Sequence, residues 1–109
     1  MLASNPADAD AQAGLIMVGL YRRAESIDEA AVTAAGSDAS NLAVQLAAAD
    51  LDAMAGQWAA VFSRLVDTVR ATTGDDREAA RARLLEFFVL AGEDPAVPPA
   101  RIALANALF

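Results

Sequence analysis

The stretch from Gly74 to Phe109 constrains the chain most, because it marks both ends of one helix and the start of another. Asp75 stands where a helix needs an N-terminal cap, and Glu78 follows three residues later, an aspartate version of the capping box. Ala80, Leu84, Phe87, Phe88 and Ala91 then recur at helical spacing, and Gly92 supplies a left-handed stop. A proline-rich turn comes next. A helix opening at Pro95 would lose hydrogen bonds and clash at Pro98-Pro99, so the last helix is expected from about Pro99. It carries two apolar lines, Ile102-Ala105-Phe109 and Leu104-Leu108, and ends the chain on an apolar pair.

Upstream, the same punctuation repeats. Asn5 before Pro6 is a strong helix start, and the helix is expected to reach about Arg23. Its middle, Leu15 to Tyr21, is apolar nearly all round, so it either fills a core or turns one side to a preceding repeat. Ser26 and Glu29 form a second capping box, opening a short helix to Ala35, and Gly36 to Ser40 is turn composition. A third helix is expected over residues 41–55, capped by Asn41 and stopped by Gly56. Trp58, Val61, Phe62, Leu65, Val66 and Val69 give the cleanest amphipathic pattern of the chain, stopped at Thr73-Gly74. The expected core centres on Leu46, Trp58, Phe62, Leu65, Leu84 and Phe88.

Composition agrees with an all-α domain spanning residues 1–109. Alanine supplies about half of the 56% hydrophobic content, and it favours helices that approach closely. Cysteine, histidine and lysine are all absent, which removes thiolate, imidazole, Schiff-base and P-loop chemistry. Neither an enzyme nor a bound cofactor or metal is expected. A net charge of −7 argues against nucleic acid. No run approaches the ~20 apolar residues of a membrane span, and the N-terminus has no secretory pattern, so cytoplasm is the default.

The charged residues read as helix surface. Asp50 and Asp52 point about 200° apart on a helix, do not converge on one proton or metal, and are expected in solvent. Glu78 with Arg81, Arg83 with Glu86, and Arg64 with Asp67 are expected as surface pairs three residues apart. Leu108-Phe109 is different. An apolar pair at the end of the chain either packs back onto the domain or is offered to a partner.

Ala49, Gly56 and Trp58 follow the order of a tetratricopeptide repeat: a small residue, a turn glycine, an aromatic. The resemblance is degenerate, since Asp52 and Val61 stand where that repeat usually has an apolar residue and alanine. The D-R-E-A-A-R-x-R-L-L-E-x-F block (76–88), the G-x-D-P turn (92–95) and the A-x-A-L-F ending (105–109) resemble the C-terminal segment of a known family. It comprises the tetratricopeptide-containing thioredoxin-like co-chaperones, the YbbN or chaperedoxin type. The resemblance implies helical hairpins stacked in a right-handed array, forming the tail of a larger parent whose thioredoxin-like domain is absent here. It further implies a non-catalytic module that binds client proteins or a chaperonin, with Leu104, Leu108 and Phe109 as contact residues. The lysine-based carboxylate clamp of some tetratricopeptide domains has no counterpart. Only Arg101 remains where the family's last helix carries an arginine run. The alternative is a packing module, with a homodimer formed through the N-terminal helix.

Overall fold

A computed structural model describes residues 6–35 and 38–109. Among these residues there are six helices and no strand: α1 Pro6–Glu25, α2 Glu29–Ala35, α3 Leu42–Met54, α4 Trp58–Ala71, α5 Gly74–Ala91 and α6 Val97–Leu108. The expected helix boundaries and all-α class hold to within about two residues. The cap at Asn5 and the stop at Gly36 lie outside the described residues.

The caps show which local chemistry wins at each turn. Asn41 accepts from the Val44 N–H at 3.3 Å, as its position predicts. Ser26 does not cap α2: its hydroxyl donates to the Arg23 carbonyl at the end of α1. Asp28 caps α2 instead, accepting from the N–H groups of Ala30 and Ala31. Asp75 is not a cap either, because the turn is made one residue earlier. Extended Thr73 flanks Gly74, which leaves Asp75 and Asp76 in the first turn of α5, where the helix dipole favours them. Arg77 reaches back to the Val69 and Thr72 carbonyls, satisfying acceptors at the end of α4.

Gly56 and Gly92 take φ of 73° and 61°, a region closed to most L side chains, and so turn the chain sharply after α3 and α5. The last helix begins at Val97 rather than Pro99. Pro98 and Pro99 fall within its first turn, where their missing N–H groups have no intrahelical acceptor to lose. Asp94 organises the turn before it, accepting from the Ala96 N–H at 2.9 Å. Between α2 and α3, the Ser40 hydroxyl and then its N–H hold the Asp38 carboxyl below its ordinary value.

Helix α4 is the spine: α3, α5 and α6 all pack on it, while α1 leans on α3 and α5 and α2 on α3. Its apolar stripe is buried from Val61 to Val69. Ala49 and Ala53 present small side chains to it from α3, and Ala80, Leu84, Phe87 and Phe88 close it from α5. Phe62, Leu65, Leu84 and Phe88 are core as expected, whereas Leu46 and Trp58 are only half-buried at its margin. Trp58 stacks on Phe62 and tilts against Phe87, each with centroids 5.9 Å apart. Phe87, fully buried, takes the central place given to Trp58 by the sequence reading.

The largest departure concerns Asp50. It is 2% exposed, not solvated. Arg23 donates to its carboxylate through Nε (2.8 Å) and Nη2 (3.1 Å). Arg83 donates through Nη1 to both oxygens, at 2.9 and 3.1 Å. One carboxylate therefore ties α1, α3 and α5 together, and Arg83 only grazes Glu86 at 3.8 Å. Arg64 likewise leaves Asp67 to Arg70 and turns to Gln45 (2.8 Å) and Asp52 (3.6 Å). Glu78 and Arg81 pair as expected.

Phe87→Ala should cost about 3–5 kcal/mol, and Trp58→Ala clearly less, since part of the indole surface is already wet. Urea midpoints measure both; equal losses would contradict the core described. Asp50→Ala should cost about 3–5 kcal/mol by leaving two guanidiniums facing each other. Replacing Arg23, Asp50 and Arg83 together by apolar residues of similar volume should recover most of that loss in the same titration.

Candidate functional site: the groove between α5 and α6

Helix α6 packs along α4 rather than along α5, so the last two helices leave a groove of about 400 Å³ between them. Two apolar residues per side decide its character. Leu85 and Val89 of α5 remain 41% and 40% exposed on one wall. Leu108 and Phe109 form the end of the other, and Phe88 and Leu104 lie beneath. Arg81 and Arg101 complete the lining, which includes no acidic residue. The guanidinium of Arg101 stands 5.4 Å from the Phe88 ring centre, a cation–π contact that fixes it at the groove.

The three expected contact residues take different places. Phe109 is fully exposed. Leu108 is half-buried against the core, with its edge in the groove. Leu104 is packed into the core, 6% exposed, and contributes only to the floor of the groove. Its line on α6 is the one that faces α4 and α5; the Ile102-Phe109 line faces solvent. Sequence reading missed Leu85 and Val89, which fall on α5 beside the buried line. Both are apolar yet off the stripe of Ala80, Leu84 and Phe87, and that was the available signal.

A second groove, of about 330 Å³, runs on the other side of α6 against α4. Half of its lining is alanine and proline, and its arginine, Arg70, is paired with Asp67 at 3.4 Å. A further apolar surface lies on α1, where Leu15 is 76% exposed and Val18 and Tyr21 about half, while Leu20 is buried. Asp50 and Asp52 do not converge, and among the described residues no three acidic side chains stand together as a metal would require. No helix among them is long and apolar enough to cross a membrane.

The chain belongs to the tetratricopeptide repeat family, whose profile matches residues 21–109. That match runs from the last turn of α1 through the end of α6, and such repeats in general mediate protein–protein interaction without catalysis. Over 110 aligned positions the chain is 36% identical to the Mycobacterium tuberculosis protein Rv1324 and to the Mycobacterium bovis protein Mb1359, both uncharacterized. All of this chain is covered, against 36% of each relative, so it spans about a third of the length of the curated proteins it matches. No solved structure matches.

Removing Phe109 should leave the melting midpoint within a degree or so, because its side chain touches only solvent. Leu104→Ala should instead cost about 2–5 kcal/mol. Thermal melts followed by circular dichroism separate the two; a large loss on removing Phe109 would mean that it packs inward in solution.

Proposed function

We propose that this chain is the protein-interaction module of a thioredoxin-like co-chaperone, holding client proteins or docking on a chaperonin through the α5–α6 groove. The observation that carries the reading is an apolar groove left open in a folded domain, with Leu85, Val89 and Phe109 exposed along it. A free apolar surface of this kind is costly to keep wet unless something covers it. The resemblance of residues 76–109 to the co-chaperone tail supplies the class of partner, and membership of the tetratricopeptide family supports recognition rather than catalysis. On this reading the chain works in the cytoplasm, beside a thioredoxin-like domain belonging to a longer protein.

Two assays test it. In excess over a chemically unfolded model protein, the chain should suppress light scattering, and it should be retained on immobilised chaperonin. Val89→Glu with Phe109→Ser, both at exposed positions, should reduce each effect at least fivefold while the melting midpoint stays put. Undiminished activity in the double variant would take the groove out of the function.

A second reading rests on α1. Leu15, Val18 and Tyr21 form an apolar face left exposed on α1, suited to an isologous homodimer. Light scattering at rising concentration should then give twice the monomer mass, and Val18→Glu should restore the monomer. A monomer at millimolar concentration would remove this reading.

A further inference from the structure

We infer that the α5–α6 groove selects an acidic amphipathic segment of another protein, with its apolar side chains between Leu85, Val89 and Phe109 and its carboxylates on Arg81 and Arg101. This rests on the groove being the docking surface and adds the chemistry of what fills it.

Charge complementarity within an acidic molecule supports the acidic segment. The chain carries eight arginines against fifteen acidic side chains; four of the arginines are engaged inside the fold, and Arg22, exposed on α1, does not line the groove. Arg23 and Arg83 hold Asp50, Arg64 holds Gln45 and Asp52, Arg70 pairs with Asp67, and Arg77 ties down carbonyls. Arg101 makes no ion pair among the described residues and has only the face of Phe88 beneath it. Glu93 and Asp94 border it on the side away from the groove, without coming within ion-pair distance. Arg81 has only the exposed partner Glu78 three residues away, a contact easily exchanged for a better one. Two guanidiniums thus flank an apolar groove whose lining includes no acidic side chain. A planar guanidinium held against an aromatic ring is suited to bidentate carboxylate binding. A net charge of −7 disfavours acidic segments over the surface as a whole, and the groove sets two guanidiniums against that trend.

The probe is a fluorescein-labelled synthetic peptide with leucines at helical spacing and glutamates between them. A lysine-for-glutamate copy and a serine-for-leucine copy accompany it. Anisotropy titrations of the whole chain should show the glutamate peptide binding at least tenfold tighter than either copy. Arg81→Gln with Arg101→Gln should weaken it at least fivefold, with the circular dichroism spectrum unchanged. Arg81→Gln alone, at an exposed position, keeps the test available should the double variant misfold, and should weaken binding about twofold or more. Tighter binding of the lysine copy, or binding indifferent to both arginine variants, overturns the acidic preference. Such a result leaves the groove reading to the Val89 and Phe109 variants, whose effect on chaperonin retention does not depend on peptide charge. Failure of the glutamate peptide to bind at all overturns this inference as well.

Discussion

Three helices that lie far apart in sequence, α1, α3 and α5, meet at the carboxylate of Asp50. A buried charge without partners would cost several kcal/mol, so the fold that buries Asp50 must bring both arginines to it. Arg23 comes from the end of α1 and Arg83 from the middle of α5, and neither is near α3 in the chain. The requirement is geometric as well as energetic, because two forked guanidiniums fit one carboxylate only when the three helices hold a particular register. An apolar cluster of alanines, leucines and phenylalanines tolerates sliding far better. Dispersion and burial supply the stability around α4, and Asp50 fixes which helix stands where.

That register determines the groove. With α5 pinned to α3 by Arg83, and α3 and α5 both packed on α4, the remaining flank of α4 is left for α6. The turn at Gly92, Asp94 and the two prolines carries the chain there, and α6 settles on α4 through Val97, Ala100 and Leu104. Leu85 and Val89 face across to the end of α6 but are not covered by it. The open surface is therefore a consequence of where α6 must go, and a sequence change in α5 alone would not close it.

Local rules made most of the helices legible. Asn41, Gly56, the 58–69 stripe and Gly92 each act through neighbours within a turn or two, and each does what its spacing predicts. Where two residues compete for one local role, spacing alone does not decide: Asp28 rather than Ser26 takes the free N–H groups of α2, and Gly74 turns the chain before Asp75 can cap it. Asp50 was out of reach for a different reason. Its partners stand 27 and 33 residues away, and the helical angle between Asp50 and Asp52 says only that they diverge, not that one of them points inward. Of the groove, the exposed end at Phe109 was legible and the opposite wall was not, because Leu85 and Val89 become a wall only once α6 has declined to cover them.

The distribution of arginine joins the two halves of the structure. In an acidic chain without lysine, each guanidinium has several carboxylates and carbonyls to choose from, and its planar fork favours fixed multi-point contacts over a loose ion atmosphere. Half of the arginines, Arg23, Arg64, Arg77 and Arg83, have found such contacts inside the domain. One surface position sets a guanidinium on a helix that offers it no carboxylate. That position is Arg101: its helix, Val97–Leu108, contains no acidic residue, and its nearest planar neighbour is an aromatic ring. The same scarcity of acid on α6 that leaves Arg101 unpaired also makes its solvent face apolar, so the cation and the exposed Phe109 arise together from one feature of the sequence.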